Sequence, residues 1–407
     1  MDWCLSVLAL LLLILVGAES KTHWSDTQFL KDFKNGIHPS SLNPGSCLSS
    51  WDFTRDPCDN LFTQKFTCGF RCDSIVSGFS RVTELAFDQA GYSGPLPSTW
   101  SLVPYLQTLD LSNNLFYGNI PDSLSNLTRL RRLALSSNSF SGAISSSIGS
   151  LSTLEELSLD HNNLGGPIPA TLTGLKNLKR LELQSNKLQG KLPPNLASLS
   201  SLKYLDASDN ALEGELPAWL PGSLVQISMR NNKLSGILNS EVFKTLRYLE
   251  VLDLSSNKLS GSVPFGVFEL PWLQQLTLSF NEFSSIEGKS AGFEKSGLIA
   301  VDISNNKVRG NLPWFMALMP HLSALSLENN MLSGMIPREY AVKVVSSTLG
   351  RLLLAGNYLY GSIPRPLFTL KPHSANVTLA NNCFYRCPHS FFFCQGAPQK
   401  PPPLCHL

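Results

Sequence analysis

The 407-residue chain has few charged residues and almost no net charge. Lysine, arginine, aspartate and glutamate together make up 15% of it, and the formal net charge is +2. Charges of both signs are mixed along the chain, so the sequence has neither a basic stripe for nucleic acid nor a polybasic patch for a membrane surface. We therefore expect no nucleic-acid partner.

Long apolar runs are missing too, apart from one near the N-terminus that extends from Leu5 to Val16. This run is too short to cross a bilayer, but the small residues Gly17 and Ala18 follow it, as in a secretory signal peptide. We predict cleavage after Ala18 or Ser20. We also predict that the rest of the chain has no transmembrane span and no lipid-anchor signal, so that the mature protein is secreted.

Motifs of common active sites are absent as well. The sequence contains no Gly-rich phosphate loop, no H-E-x-x-H and no G-x-S-x-G. Asp160 and His161 resemble half of a catalytic triad, but adjacent residues of a strand point to opposite sides, and a histidine at a strand end is usually solvated. The sequence therefore predicts a protein that is not an enzyme and has no cofactor or metal site.

One repeated pattern fills most of the chain, with an asparagine every 22 to 27 residues. Around each asparagine lies the frame L-x-x-L-x-L-x-x-N-x-L, as in the segment from Leu106 to Phe116. This period and frame indicate a leucine-rich repeat solenoid. The asparagines that keep the spacing are Asn114, Asn138, Asn162, Asn186, Asn210, Asn232, Asn257, Asn281, Asn306, Asn330, Asn357 and Asn382.

The L-x-L part of the frame alternates with the period of a β-strand. Leu109 and Leu111 are predicted to point into the core and Asp110 outward, with successive strands paired in parallel. The recurring asparagine is expected to hydrogen-bond backbone groups of neighbouring turns that would otherwise be buried unpaired. We predict an α/β solenoid, a right-handed leucine-rich repeat superhelix with a parallel concave β-sheet, about 12–13 repeats and disulfide-stapled caps.

Each asparagine is followed by L-x-G-x-[ILV]-P or a close variant, as in the segment from Leu188 to Pro193. This resembles the plant-specific subclass of extracellular leucine-rich repeats and implies a second small sheet and a twisted superhelix. The resemblance covers residues from about 82 to 384. The pattern lapses between Phe283 and Gly292, and an insertion runs from Arg338 to Ser347. The predicted divisions are a signal peptide at 1–20, an N-terminal cap at 21–81, repeats at 82–382 and a C-terminal cap with a Pro-rich tail at 383–407.

Eight cysteines lie beyond the predicted signal peptide, in two groups of four that flank the repeats. Small caps of this kind commonly need disulfides, although each group of four allows three pairings and the sequence does not choose among them. A zinc site with His389 and His406 is disfavoured, because the last four cysteines lack the paired C-x₂₋₄-C spacing. The predicted disulfide cysteines are Cys47, Cys58, Cys68, Cys72, Cys383, Cys387, Cys394 and Cys405.

The segments next to these cysteines add two expectations. Trp51 between cysteines resembles the N-terminal cap of plant leucine-rich repeat proteins, and the amphipathic segment from Thr27 to Ile37 fits the helix that begins such caps. Sequons at Asn126 and Asn376 predict N-glycosylation. Glycans at these positions are expected to leave the strand face free.

Binding is expected on the outward side chains of the strands, at positions that break the common run of Asp, Ser and Asn. The alternating charges of Arg132, Glu156 and Arg180 have the competing interpretation that they pair with one another. Phe280 has the competing interpretation that it packs against Glu282. The candidate binding residues are Tyr204, Arg230, Phe280, Asp160, His161, Arg132, Glu156 and Arg180.

Three tryptophans give a second candidate surface. Trp219, Trp272 and Trp314 occupy variable positions away from the strands. They would form an apolar binding stripe if exposed. The favoured interpretation is that they pack over neighbouring turns.

The resemblance implies a secreted, non-enzymatic recognition protein that binds a protein or peptide on its concave face, in plant extracellular signalling or defence. A receptor kinase ectodomain is one expected partner, and the apoplast or cell wall is the expected location. The alternative is an inhibitor of a cell-wall enzyme, similar to polygalacturonase-inhibiting proteins, which have fewer turns. A third possibility is a structural or interaction protein of the cell wall.

Overall fold

The computed structural model describes residues 21–289 and 291–405. Its residues cluster into two compact units, of which the first ends at Asn162 and the second begins at Asn163. The predicted signal peptide lies outside the described residues, as do Ser290 and His406.

The first unit begins with a cap built on helix α1, Trp24–Asn35. The helix buries Phe29, Leu30 and Phe33, because these residues share one face at helical spacing. A short helix α2, Cys47–Ser50, and an antiparallel hairpin of Ser74–Val76 and Phe79–Arg81 follow. Disulfides join Cys47 to Cys68 and Cys58 to Cys72, a choice that the spacing left open.

Two sheets build the repeats of the first unit. The main sheet has four parallel strands, and Phe70–Arg71 pairs antiparallel to the first of them. The second sheet pairs Tyr117–Asn119 with Ser139–Ala143 in parallel. The main-sheet strands are Glu84–Ala86, Thr108–Asp110, Arg132–Ala134 and Glu156–Ser158, and the 3₁₀ helices of the unit are Pro39–Ser41, Trp100–Leu102, Asp122–Asn126 and Ser146–Ser150.

The second unit repeats this plan with a longer parallel main sheet. Each strand has a buried central residue flanked by outward residues, as the L-x-L alternation predicts. Its main-sheet strands are Arg180–Glu182, Tyr204–Asp206, Gln226–Ser228, Val251–Asp253, Gln275–Thr277, Ala300–Asp302, Ala324–Ser326, Arg351–Leu353 and Asn376–Thr378. The predicted leucine-rich repeat architecture with parallel strands and disulfide caps is confirmed.

The second sheet of this unit falls into two sets of parallel strands. The first set is Asn163–Gly166, Lys187–Lys191, Ala211–Gly214, Lys233–Ile237, Lys258–Val263 and Glu282–Ile286. The other set is Arg309–Asn311, Met331–Gly334, Tyr358–Gly361 and Cys383–Phe384. The interruption coincides with the lapse in the repeat after Phe283. In this part of the chain a 3₁₀ helix, Phe293–Lys295, follows the strand Glu282–Ile286.

Helical segments lie between the strands of the second unit. The insertion predicted after Pro337 is helix α3, Arg338–Val345, which buries Tyr340, Ala341 and Val344. The remaining 3₁₀ helices of the unit are Ala170–Gly174, Leu196–Ser198, Ser240–Lys244, Phe265–Val267, Trp314–Leu318, Arg365–Thr369, Phe392–Cys394 and Pro402–Leu404. At the C-terminal end, disulfides join Cys383 to Cys405 and Cys387 to Cys394.

The recurring asparagines connect successive turns by hydrogen bonds to the backbone. Asn257 is typical, because its Oδ1 accepts from Leu234 N at 2.9 Å while its Nδ2 donates to Met229 O at 2.9 Å and Leu254 O at 3.1 Å. The predicted role of this residue type is thus observed directly. These asparagines therefore belong to the scaffold: nine of the twelve are buried, and Asn138, Asn186 and Asn210 are partly exposed.

Tyr92 makes the stability of the first unit sensitive to alkaline pH. Its hydroxyl donates to Asp88 Oδ1 at 2.6 Å and accepts from Leu48 N at 3.1 Å. Burial, followed by the hydrogen bond to Asp88, raises the pKa of Tyr92 to about 12. A free tyrosine titrates near pH 10, so the unfolded chain loses this proton first and the folded state is penalised as the pH rises.

We expect the unfolding free energy of the first unit to fall by about 2 kcal/mol between pH 10 and pH 12. In Tyr92→Phe this fall should be clearly smaller, because the group that titrates is gone. Denaturant unfolding at a series of pH values measures both slopes. Equal slopes in the two proteins would contradict the assignment to Tyr92.

Candidate binding surface

The candidate surface is the strand face, meaning the outward side chains of the main-sheet strands and of the bend after each strand. The strand geometry places the first and third residue of every strand on this face, with the central residue in the core. The predicted binding residues fall into both units.

In the first unit the predicted charges pair with one another. Arg132 forms ion pairs with Asp110, at 3.2 Å, and with Glu156, and Arg131 pairs with Glu155 at 3.0 Å. Partial burial alone would lower the pKa of Arg132, but hydrogen bonds and charge attraction from Asp110 and Glu156 raise it overall. Exposed pairs of this kind contribute little stability, and they leave few uncompensated charges for a ligand.

Asp160 and His161 lie together at the end of a strand. The Oδ2 atom of Asp160 and the Nδ1 atom of His161 are 2.9 Å apart, so the expectation of opposite directions is wrong for this pair. The reason is that His161 has a φ of 52°, which ends the strand alternation. Asp160 also accepts a hydrogen bond from Ser136.

These three side chains do not form a catalytic triad. A nucleophilic serine must give its proton to histidine, whereas Ser136 donates to the carboxylate of Asp160. In residues 21–289 and 291–405, no group of three or more His, Cys, Asp or Glu side chains is arranged to hold a metal ion. Asp160 and His161 thus offer polar contacts to a partner.

In the second unit, Tyr204 and Arg230 are likewise held by neighbouring side chains. The guanidinium of Arg180 stacks 4.3 Å from the ring centroid of Tyr204 and also pairs with Glu182 at 2.9 Å. Arg230 pairs with Asp209 at 2.7 Å. Both groups are prearranged, so a partner would meet them at a low ordering cost.

Phe280 is the outward residue that departs most from its neighbours. Its side chain is 57% exposed, and its φ of 56° is in the left-handed region that bulky residues avoid. Its ring makes no contact with another aromatic ring in the part of the chain that the structure describes. In other turns of this unit the same bend position holds small or polar residues: Ser185, Asp209, Asn231, Ser256, Asn305, Asn329, Gly356 and Asn381.

A shallow groove of about 330 Å³ lies on the strand face, and the turn of Phe280 contributes Gln275 and Thr277 to its lining. Ala300 and Ala324 line it where other turns have long side chains, and Asp302 is also part of the lining. The backbone N–H of Phe280 donates to Ser304 O at 3.0 Å, and Ser304 lines the same groove.

This groove is not among the sites predicted from the sequence. The sequence does contain a signal for this groove, because two alanines occupy successive outward positions that carry Arg, Glu, Tyr or Gln in earlier turns. Glu328 and Arg351 also line the groove, and Glu328 accepts a hydrogen bond from Thr378 at 2.7 Å.

The three tryptophans away from the strands are about half exposed. The exposed fractions are 51% for Trp219, 59% for Trp272 and 47% for Trp314. That all three pack over neighbouring turns stays a prediction. Phe293 contacts Trp314 edge-on, with ring centroids 5.7 Å apart. Trp272 and Trp314 each line a separate groove.

The predicted glycosylation sites are both exposed. Asn126 lies at the end of the 3₁₀ helix Asp122–Asn126, away from the strand face. Asn376 begins the strand Asn376–Thr378 and so lies on the strand face itself. A glycan on Asn376 would therefore cover the last turn, which departs from the expectation that both glycans leave this face free. Within the described ranges, no helix is long and apolar enough to cross a membrane.

Family models and curated relatives match parts of the chain. The description "Leucine rich repeat" matches residues 152–212 and 222–283, and a second leucine-rich repeat model matches 105–127 and 129–151. Receptor-like protein 35 of Arabidopsis thaliana is 35% identical over 133 residues, which are 31% of this chain and 14% of that protein. The matches span between 6% and 22% of the length of these curated relatives.

Solved structures of plant receptor ectodomains resemble the chain over more of its length. One is the ectodomain of GASSHO1/SCHENGEN3 from Arabidopsis thaliana, solved in complex with CASPARIAN STRIP INTEGRITY FACTOR 2. It is 30% identical to this chain with a TM-score of 0.75, and the match covers 88% of this chain and 44% of that ectodomain. The plant peptide hormone receptor RGFR1, in complex with RGF2, is 28% identical with a TM-score of 0.58. That match covers 72% of this chain and 50% of the receptor.

The repeat frame, the parallel strands and these matches define the class of the protein. The chain belongs to the leucine-rich repeat proteins. Its G-x-[ILV]-P segments and its Arabidopsis relatives further identify it as a plant extracellular leucine-rich repeat protein. Four disulfides within the described residues agree with an extracellular location.

Proposed function

We propose that the protein is a non-enzymatic recognition protein that binds a peptide or protein partner on the strand face of its second unit. Its role would lie in plant extracellular signalling or defence, with a receptor kinase ectodomain as one candidate partner. The observation that carries the proposal is Phe280, which is bulky and exposed and has a left-handed backbone. Backbone strain of this kind commonly occurs at functional sites.

The surroundings of Phe280 suit an extended polypeptide. Ala300 and Ala324 let a bound backbone approach the sheet closely, while Thr277, Asp302 and Ser326 offer polar atoms along the same groove. Aromatic anchors with polar neighbours are typical of protein interfaces. Two similar ectodomains were solved in complexes, one with CASPARIAN STRIP INTEGRITY FACTOR 2 and one with RGF2, which supports the ligand class and not its identity.

The test is to replace Phe280 with asparagine, a residue that tolerates the left-handed backbone. We expect Phe280→Asn to leave the unfolding free energy unchanged or to raise it by up to about 1 kcal/mol. We expect the same variant to weaken partner binding at least about tenfold, because an apolar anchor is lost. Affinity capture from plant secretions and solubilised membranes identifies partners, and titration of the purified partner gives the loss in affinity.

Ser256→Asn is the matched control, because Ser256 holds the same bend position one turn earlier with a φ of 54°. It should bind like the wild-type protein. A partner held equally well by the wild type and by Phe280→Asn would place the binding site elsewhere.

Inhibition of a cell-wall enzyme such as polygalacturonase is the competing proposal. It requires charged groups that are free to meet the enzyme surface. On the strand face of the first unit, Arg132 is already paired with two carboxylates, which disfavours this function. A polygalacturonase assay with the purified protein distinguishes the two functions, because inhibition at stoichiometric concentrations would support the competing proposal.

The location and processing of the protein are also proposals. We propose secretion to the apoplast or cell wall after removal of residues 1–20, and glycosylation at Asn126 and Asn376. The exposure of both asparagines supports glycosylation. Mass spectrometry of the secreted protein, before and after enzymatic deglycosylation, measures the mature N-terminus and the occupancy of each sequon.

A further inference from the structure

A second groove, away from the strand face, lies in the second unit and has a volume of about 1110 Å³. It is formed where the second-sheet strands Met331–Gly334 and Tyr358–Gly361 end and the helical segments after them begin. Gly334 leaves room in its wall, because a Cβ atom there would lie 2.5 Å from Asn311 Oδ1. The side chains that matter for its chemistry are Asn311, Trp314, Arg338, Tyr360, Ser362 and Arg365.

The groove carries positive charge without compensation. Arg338 and Arg365 each follow the proline of a G-x-I-P segment, so they occupy matching places in successive turns. Both are exposed, and no aspartate or glutamate lines the groove. Neither arginine forms an ion pair with any of the described residues. Two arginines in this state attract an anionic ligand and are suited to bidentate contact with carboxylates.

Two aromatic side chains add apolar surface beside these arginines. Trp314 is 47% exposed and Tyr360 is 50% exposed, although burial of either large side chain would stabilise the fold. The contact with Phe293 holds the indole of Trp314 in place. The indole N–H of Trp314 and the hydroxyl of Tyr360 have no hydrogen-bond partner among the residues described, so both are available to a ligand.

The two central strands at this groove cannot accept a peptide as an additional strand. Met331–Gly334 already pairs with Arg309–Asn311 on one side and with Tyr358–Gly361 on the other. Tyr358–Gly361 also pairs with Cys383–Phe384. Strand addition needs a free sheet edge, which at this groove is Arg309–Asn311, outside the two central strands. A ligand that lies over the two central strands is therefore recognised through side chains.

We propose that this groove binds a chain of carboxylated sugars, that is, an oligosaccharide of uronic acids. Each pyranose ring has an apolar face of C–H groups that can pack on Trp314 and Tyr360. Its hydroxyls can hydrogen-bond to the indole N–H, the tyrosine hydroxyl, Asn311 and Ser362. The carboxylates pair with Arg338 and Arg365, which distinguishes such a chain from a neutral sugar of the same shape.

Another groove in the same unit provides a natural comparison. It has a volume of about 760 Å³ and also contains an exposed tryptophan and tyrosine, Trp272 and Tyr248. Its cations are accompanied by acids, since Glu269 and Glu287 line it and Lys289 pairs with Glu269 at 3.4 Å. An aromatic pair whose neighbouring cations are accompanied by acids therefore serves as the internal control.

The experiment measures binding of purified oligogalacturonic acid to the full secreted protein by isothermal titration calorimetry. The same oligomer in fully methyl-esterified form provides a ligand of equal shape without charge. We expect the acid form to bind at least about tenfold more tightly than the ester, and its affinity to fall as salt is added. The double variant Arg338→Gln, Arg365→Gln should remove this preference, and Trp314→Ala should weaken binding of both forms.

The matched control is Arg247→Gln, which replaces an exposed arginine of the comparison groove and should leave the affinity unchanged. Circular dichroism and the unfolding midpoint establish that each variant is folded. The proposal is overturned if the acid oligomer does not bind, if Arg247→Gln weakens it as much as the double variant, or if polyglutamate competes equally at the same groove. Loss of binding confined to the double variant and to Trp314→Ala supports it.

Discussion

Replacing Asp26 with alanine is expected to lower the free energy of unfolding of the N-terminal cap by about 3–5 kcal/mol. Asp26 is fully buried, and it forms a two-point ion pair in which Arg81 Nη2 donates to Oδ1 at 2.7 Å and Arg81 Nε donates to Oδ2 at 3.0 Å. The backbone N–H of Val82 also donates to Oδ2 at 2.7 Å. Alanine would therefore leave a buried guanidinium and a buried N–H without their acceptor.

The measurement is denaturant unfolding followed by the fluorescence of the cap tryptophans, with hydrogen exchange in helix α1 as a local readout. Arg71→Ala is the matched control, because Arg71 belongs to the same cap and pairs with Glu84 at 3.6 Å while remaining exposed. It should cost less than about 1 kcal/mol. Similar losses of unfolding free energy in the two variants would contradict the prediction that the buried Asp26–Arg81 pair is more costly to break than an exposed pair.

The second large effect is expected for Asn357→Ala, with a loss of about 1–3 kcal/mol in the unfolding free energy of the second unit. Asn357 is fully buried. Its Oδ1 accepts from Leu332 N at 3.1 Å, and its Nδ2 donates to Leu327 O at 2.9 Å and Leu354 O at 3.1 Å. Leu332 N loses its partner in the variant, whereas Leu327 O still accepts from Asn330 at 3.2 Å and Leu354 O from Asn382 at 3.0 Å. An unpaired buried group costs about 1–3 kcal/mol before relaxation.

Thermal and denaturant unfolding of the whole chain measure this loss, with hydrogen exchange of Leu332 as the local test. Asn195→Ala is the control, because Asn195 is exposed and its side chain caps no helix. It should change the unfolding free energy by less than about 0.5 kcal/mol. Equal costs for the two asparagines would show that the repeat does not depend on these buried amide bonds.

Interactions that repeat along the chain could be predicted from the sequence. The leucines of each L-x-L segment and the asparagine after it meet the same neighbours in every turn, so a period of 22 to 27 residues contains the information needed. The parallel strands and the hydrogen bonds of Asn257 follow from this pattern and are present in the structure. The grouping of the cysteines similarly indicated where the disulfide caps would form.

Features that depend on single side chains could not be predicted in the same way. The direction of His161 depends on a left-handed bend, which brings it to Asp160 against the strand alternation. Arg132 could be identified as an outward charge, whereas its pairing with Asp110 and Glu156 depends on which rotamers meet across turns. The exposure of Trp314 depends on whether side chains of neighbouring turns cover it. The sequence pattern within one turn does not contain this information.

The sequence by itself determined the class of fold, the scaffold residues and the positions that face outward, because these follow from hydrophobic periodicity and from backbone hydrogen bonds that every turn must satisfy. Only the tertiary structure decided which cysteines pair and which outward charges neutralise one another. It alone brought Trp314, Arg338 and Tyr360 into one groove. The physical reason is that these contacts join residues from different turns, and their energies depend on distances and burial that arise only when the turns are stacked.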